Sequence, residues 1–486
     1  MLTIDPVLSM KENPFTKLYV NRIAIVILAI LVLGTPLFVK GVDNVTGVEP
    51  YFNQRLADLV QGINIPHIDP LSFGSRDFFY PIGTPFLLHN IEKIAPNNFV
   101  LNILPFILGI LFVILCFSVL KKYDIEEKVV LISSIVLIFS PPFIYTFSVF
   151  NSFTIPVFLN ILAIYLLLKE SKFLNAAAVV LFLLIPFFGH IHAIFSLIFL
   201  IFYYLRRHKP FVRVTSVCIV VILTLVYWKQ LGHFSFSYFV QEKDLLLRTV
   251  SEFGGNFGIS LFSVFLIFFG LRHLWKEKYQ YSHVYLSLLV IFLIFLVNQK
   301  TSIYLALVMS PIISLGLIEL YNSRWESFII KNITLVLLVS GLIFSGLSFV
   351  SKIPQLPPSQ DMIESLQFIK DNSNSNDVVF SHYTNGIFIN SIALRPNVLD
   401  ENLMYAPHLK ERLEDSNKLV KSRDFELTNS ILQKYNIRYV YITPDMKNGL
   451  VWNEPEEGLL FVLKFSGDNF RRVYSQNGIE IWKVNF

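Results

Sequence analysis

The sequence predicts an α-helical polytopic membrane protein of about eleven transmembrane helices followed by an external α/β domain, and three observations carry that fold class. Hydrophobic residues make up 54% of the 486, Phe alone supplies 47 of them, and the mean hydropathy is +0.57. Apolar runs of about 17 to 22 residues, each long enough to cross a hydrocarbon core as a helix, recur as far as about residue 354. Beyond KIPQLPPSQ the character changes at once: residues 355–486 carry 14 Lys and Arg against 17 Asp and Glu, whereas residues 1–354 carry 26 against 18.

The apolar runs centre near residues 30, 110, 138, 161, 181, 198, 220, 266, 290, 311 and 341. The first follows MLTIDPVLSMKENPFTKLYVNR. It is too long for a signal-peptide core and lacks a small-residue cleavage pattern, so it reads as a membrane helix. Between the first two runs lies the loop 40–98, polar and aromatic, with an amphipathic helix over about residues 50–61. Irregular chain beside a bilayer must satisfy its backbone on protein or water, which makes such a loop a place to look for an active site. Lys and Arg fall on alternate sides of the runs. The N-terminus and pairs such as Lys121–Lys122 and Arg206–Arg207 belong to the cytoplasmic side, while the short outer loops hold only Lys300. The protein is thus expected in the plasma membrane, N-terminus cytoplasmic, with loops 40–98 and 229–256 and the tail outside.

Pro354, Pro357 and Pro358 stop the last run and separate a membrane part, 1–354, from a soluble part, 355–486. In the tail, SQDMIESLQFIKDN predicts a capped amphipathic helix, while DVVFS and IRYVYITP predict strands. FRRVYSQNGIEIWKV predicts a hairpin about Gln476 to Gly478. The basic excess sits in the membrane part, where anionic lipid accounts for it, so nucleic acid is not an expected partner. Cys116 and Cys218 both fall in apolar runs and supply neither a disulfide framework nor a thiolate metal site. No P-loop, dinucleotide fingerprint, HExxH or internal repeat is present.

EPYFNQRLADLV and IPHIDPLSFGSRDFFYPIGTP, placed after a first membrane helix, resemble the first external loop of GT-C glycosyltransferases. The likeness is strongest to archaeal proteins related to the oligosaccharyltransferase catalytic subunit. SPPFIYTFSVFNSFTIPVFLNILAIYLL extends it, as do the tail segments DVVFSHYTNGIFINSIALRPNVLDEN and ILQKYNIRYVYITP. The resemblance implies a GT-C-like fold, a polyprenyl-phosphate-linked sugar as donor, surrounding membrane lipid, and transfer at the outer face to a glycan, lipid or protein acceptor. A non-catalytic membrane protein that binds glycan or lipid is the alternative, with a transporter or flippase behind it, since the runs are nearly free of ionisable residues.

Such chemistry needs a carboxylate to deprotonate or orient the acceptor and a cation for the departing phosphate. The resemblance places the acid on Glu49, with Asp43 its nearest rival; a carboxylate there would also suit the N-terminus of the helix that follows. Arg55 is expected to pair with Glu49 or to contact the donor phosphate. Asp69 and Arg76 either fold the loop or touch substrate. Tyr51 either stacks on a sugar or joins an interfacial aromatic belt. Lys300 in VNQKTSIYLAL matches the position of an Arg that contacts lipid pyrophosphate in related enzymes, with snorkelling from a helix end as the plainer reading. Glu242 and Glu252, ahead of Gly254 and Gly255, match a mobile substrate cover.

A divalent metal is doubtful. Asn151 stands where the resemblance calls for an acid, and amide oxygens bind hard cations weakly. His190 and His192 in GHIHA could share a metal only in extended backbone. SHYTNGIFI replaces the Trp-Trp-Asp-Tyr-Gly acceptor signature, so sequon-directed protein glycosylation is not expected.

Overall fold

The computed structural model describes residues 14–60, 66–123, 125–169, 171–231, 258–276, 278–279, 281–467 and 469–485. Each apolar centre lies within or at the end of a helix. Among the described residues, five helical stretches are long and apolar enough to cross a membrane: Val20–Lys40, Asn97–Lys122, Pro210–Trp228, Gln299–Asn322 and the stretch beginning at Phe328. A sixth arises if Glu127–Ile138 and Pro141–Ser148, bent by 62°, form one broken span. Thr154–Leu167, Lys172–Phe188, Leu261–Trp275 and Ser282–Val297 are apolar but shorter. By length and composition, then, five or six helices qualify where eleven runs read as apolar. Hydropathy does not register breaks such as Pro141–Pro142, whose rings and missing N–H groups cannot continue a helix.

Large apolar side chains lie bare on these helices, among them Phe38, Leu225, Phe268 and Val336. Exposed faces of that extent are what lipid covers, and the protein is an integral membrane protein. Two helices meet at backbone distance: a Cβ on Gly270 would lie 2.0 Å from the Ile312 carbonyl oxygen, and one on Gly316 would lie 2.0 Å from that of Leu266. Small residues permit this approach. The crossing fixes Ser302–Asn322, at whose head Lys300 stands.

The first loop is ordered where described. It forms a helix Val48–Leu59, a short antiparallel hairpin of β1 (Ile68–Asp69) and β2 (Arg76–Asp77), and a helix Gly83–Glu92. The tail builds a four-stranded mixed sheet in the order β3 (Val378–Phe380), β4 (Ile437–Ile442), β6 (Ile479–Val484), β5 (Phe470–Gln476). β3 and β4 are parallel and the other pairs antiparallel. Alternation along β4 sends Val440 and Ile442 into one apolar layer with Leu419 and Leu432, and Tyr439 and Tyr441 into another with Leu366 and Ile369. Helices therefore cover both faces. The hairpin turns at Asn477 and Gly478, both at positive φ, between Gln476 and its partner Ile479. Ser359 caps Gln360–Asn372 by accepting the Met362 N–H at 3.2 Å.

Candidate active site

Glu49 lies in the first turn of Val48–Leu59, two residues after Gly47. Gly47 has φ of +92°, and a Cβ there would meet Val149 at 2.9 Å. Only glycine allows both the turn and the approach, which sets Glu49 against the loop 149–153. Asn151 folds that loop: its amide oxygen accepts the Phe153 N–H at 2.8 Å and its amide nitrogen donates to the Val149 carbonyl at 2.9 Å. Ser152, at the tip, donates its hydroxyl to Glu49 Oε2 at 3.0 Å. From the other side Asn298 accepts the Lys300 N–H at 3.0 Å and shapes the turn Gln299–Thr301. The Lys300 ammonium then pairs with Glu49 Oε1.

The Lys300 side chain is 46% exposed and that of Glu49 14%. The pair thus opens to solvent on the lysine side. It lines a shallow cleft with Tyr145, Thr146, Asn151 and Phe153. Burial by itself pushes the Glu49 carboxyl up, but the Lys300 charge and the hydrogen bonds from Lys300 and Ser152 outweigh it and hold the group below its ordinary value. Glu49 is therefore an anion throughout the neutral range. The cleft presents a fixed carboxylate paired with a half-exposed cation, an arrangement suited to a polar acceptor on one side and an anionic leaving group on the other.

Behind the cleft lies a buried polar network from three helices. Tyr304 OH is 2.7 Å from His192 Nδ1 and accepts from Asn160 Nδ2 at 3.1 Å, while Ser196 donates to Asn160 Oδ1 at 2.6 Å. The His192 ring packs edge-on against Phe153, the residue after Ser152. The network therefore backs the loop that holds Glu49. Isolated Asn160 and Ser196 in apolar runs were the sequence signal for it, because an uncharged polar residue buried at that depth needs a partner.

Other sequence candidates lie elsewhere. Arg55 does not reach Glu49: it forms a buried two-pronged pair with Asp69, 2.7 Å on each prong, to which Tyr80 OH adds a 3.3 Å hydrogen bond. Residues 14 apart meet because the β1–β2 hairpin folds back on the helix. Burial pushes Asp69 up, yet the Arg55 hydrogen bonds and charge hold it below the ordinary value. Arg76 is buried in an aromatic cage, 4.6 Å from the Phe73 ring centroid and 4.7 Å from that of Tyr80. Asp43 is exposed in the 41–47 turn. Tyr51 spends its hydroxyl on the Val45 carbonyl at 3.2 Å and its ring on Phe388. Glu242 and Glu252 lie outside the described residues.

The metal candidates are not brought together. His190 begins a helix, so His190 and His192 point apart; His190 packs on Tyr227 and His192 on Tyr304. Asn151 has its amide committed within its own loop. Among the described residues no three His, Cys, Asp or Glu are grouped to hold a metal. This donor set does not fit a divalent cation.

Neither family models nor curated proteins match the sequence. Solved structures do. The Archaeoglobus fulgidus oligosaccharyltransferase in its apo form superposes with a TM-score of 0.60 at 12% identity, over 98% of this chain and 75% of that one. AglB from the same organism, in complex with an inhibitory peptide and a dolichol-phosphate, gives 0.59 at 13% identity over 97% and 75%. ArnT from Cupriavidus metallidurans bound to undecaprenyl phosphate gives 0.50 at 9% identity over 97% and 98%. The chain accordingly has the fold of the GT-C membrane glycosyltransferases. Two of these neighbours were solved with a polyprenyl-type phosphate, a dolichol-phosphate in AglB and undecaprenyl phosphate in ArnT.

Proposed function

We propose that this protein is a glycosyltransferase that moves a sugar or glycan from a polyprenyl-phosphate-linked donor to an acceptor at the external face of the membrane. The observation that carries the reading is the Glu49–Lys300 pair lining an open cleft in a GT-C fold. A phosphate entering beside Lys300, already anionic as a diester, gains a further negative charge at the moment the sugar–phosphate bond breaks, where a preorganised cation is worth most. Glu49 holds that ammonium in place and orients the acceptor. Arg55 and Asp69, spent on each other, hold the first loop in shape. Residues 1–354 form the membrane part, with the N-terminus cytoplasmic, and residues 355–486 an external domain. The dolichol-phosphate and undecaprenyl phosphate bound by structural neighbours support the donor class.

The test is transfer from a radiolabelled undecaprenyl-phosphate-linked hexose by the purified full-length protein. Glu49→Gln and Lys300→Ala are each expected to lower turnover at least about 100-fold. Full activity of Glu49→Gln would overturn the assignment. Retention of the donor lipid by wild type without any turnover would favour the binding-only reading, to which the committed amide of Asn151 gives its support.

A further inference from the structure

Breaking a sugar–phosphate bond loads negative charge onto the departing phosphate, and a catalyst meets it with a divalent metal ion or with a cation of its own. The residues that line the cleft decide between the two. A magnesium-like ion takes about six oxygen ligands at about 2.1 Å and favours carboxylates. Among the described residues that line the cleft, Glu49 is the only carboxylate. Both of its oxygens are engaged, Oε1 by the Lys300 ammonium and Oε2 by the Ser152 hydroxyl at 3.0 Å. The Asn151 amide oxygen is turned to the Phe153 N–H at 2.8 Å, and the Thr146 carbonyl accepts the Thr154 hydroxyl at 2.8 Å. A metal ion seated here would have to free oxygens that shape the loop and share the cleft with the ammonium it had displaced.

Lys300 is the only Lys or Arg among those lining residues. Arg55 is spent on Asp69, and Arg76 on its aromatic cage and the Asn402 carbonyl. The Lys300 backbone is held from both ends: Asn298 accepts its N–H, and Thr301 Oγ1 donates to the Asn298 carbonyl at 2.8 Å. The ammonium therefore stands ready at the head of a fixed helix before substrate arrives. Its charge is also limited, because Glu49 and Lys300 cancel. A phosphodiester donor brings one negative charge and leaves as a monoester with about two. A diphosphate-linked donor would bring two and leave with about three, against the same single ammonium.

We propose that Lys300 takes the part of a divalent cation in this protein, so that transfer proceeds without a metal ion and from a donor with one phosphate, not two. The inference rests on the glycosyl-transfer reading above. In the step, a lone pair of the acceptor oxygen or nitrogen forms the bond to the anomeric carbon. The bond from that carbon to the phosphate oxygen breaks with its electron pair on oxygen. The polyprenyl phosphate departs beside the Lys300 ammonium, which stays seated on Glu49. The acceptor's proton passes to the solvent that reaches the cleft on its lysine side.

The purified full-length protein, stripped with EDTA, is assayed with radiolabelled undecaprenyl-phosphate-linked and undecaprenyl-diphosphate-linked hexose, with and without added magnesium or manganese ions. Wild-type turnover from the monophosphate donor is expected to stay within about twofold in EDTA and to exceed that from the diphosphate donor at least about 100-fold. Lys300→Ala should stay at least about 100-fold below wild type whichever metal ion is added. Titration of wild type with manganese ions, followed by electron paramagnetic resonance, is expected to show no bound signal that Glu49→Gln removes. The inference is overturned if EDTA abolishes wild-type turnover and either ion restores it, or if the diphosphate donor is used at least as fast as the monophosphate one. Recovery of wild-type turnover by Lys300→Ala with added metal ion, or a bound manganese signal lost in Glu49→Gln, overturns it too. Failure of the underlying reading looks different: wild type transfers from neither donor, or Glu49→Gln is as active as wild type. The manganese titration then still decides whether the cleft takes a divalent cation.

Discussion

Arg55 and Asp69 set both guanidinium prongs on both carboxylate oxygens with side chains only 4% and 0% exposed. Removing one partner strands the other charge in the interior. Arg55→Ala is therefore expected to cost about 3–5 kcal/mol, while replacing both residues by apolar ones of similar volume, Arg55→Met with Asp69→Leu, costs far less. Unfolding of the detergent-solubilised variants measures both, and a single variant as stable as wild type contradicts the account. The sign with pH follows. With the folded Asp69 carboxyl below its ordinary value, the stabilisation is complete above the unfolded value of about 4 and drains away as pH falls through the folded one. At this scale the sequence revealed Glu49 through its polar setting between apolar runs, and Lys300 as a cation against the charge bias. Ser152 carries no local sign, because what singles it out is closure of the chain over a distance that no spacing rule spans: it stands 103 positions from Glu49.

Helices here are apolar outside and locally polar inside, and the polar part is concentrated behind the cleft. Asn160, His192, Ser196 and Tyr304 are all at most 2% exposed and satisfy one another. His192→Phe preserves the ring that packs on Phe153 but deletes the bond to Tyr304. It is expected to cost about 1–2 kcal/mol of stability and to loosen Ser152, lowering turnover without abolishing donor-lipid binding. Unchanged stability and turnover in His192→Phe would show that the network does not support the loop. Helix positions were readable from hydropathy, and so was the tail sheet from its alternation. The 62° bend between Ile138 and Pro141 was hidden inside one apolar run, since a hydropathy average weighs transfer free energy and is blind to backbone direction.

Charge is distributed over the molecule as a membrane would sort it, with the basic excess confined to residues 1–354. The proposed orientation puts the tail outside. Asn417, exposed on the helix Leu409–Lys421, offers a place to test it. In a variant lacking Cys116 and Cys218, Asn417→Cys is expected to react with a membrane-impermeant maleimide on intact cells, and labelling only after lysis reverses the topology.

The N–H of Gly47 donates to the carbonyl of Pro357 at 2.7 Å, so the proline connector is fastened two residues from Glu49. This makes the tail a poor candidate for exchange as a cassette. A chimera that grafts a foreign tail onto residues 1–354 would inherit a mismatched seam beside Glu49, even if each half folded perfectly. Flexible residues inserted near Pro357 would add little closure entropy and still disturb the seam. The heritable unit is better drawn through the membrane part than at its edge, with the segment 41–80 travelling together with the tail that rests upon it.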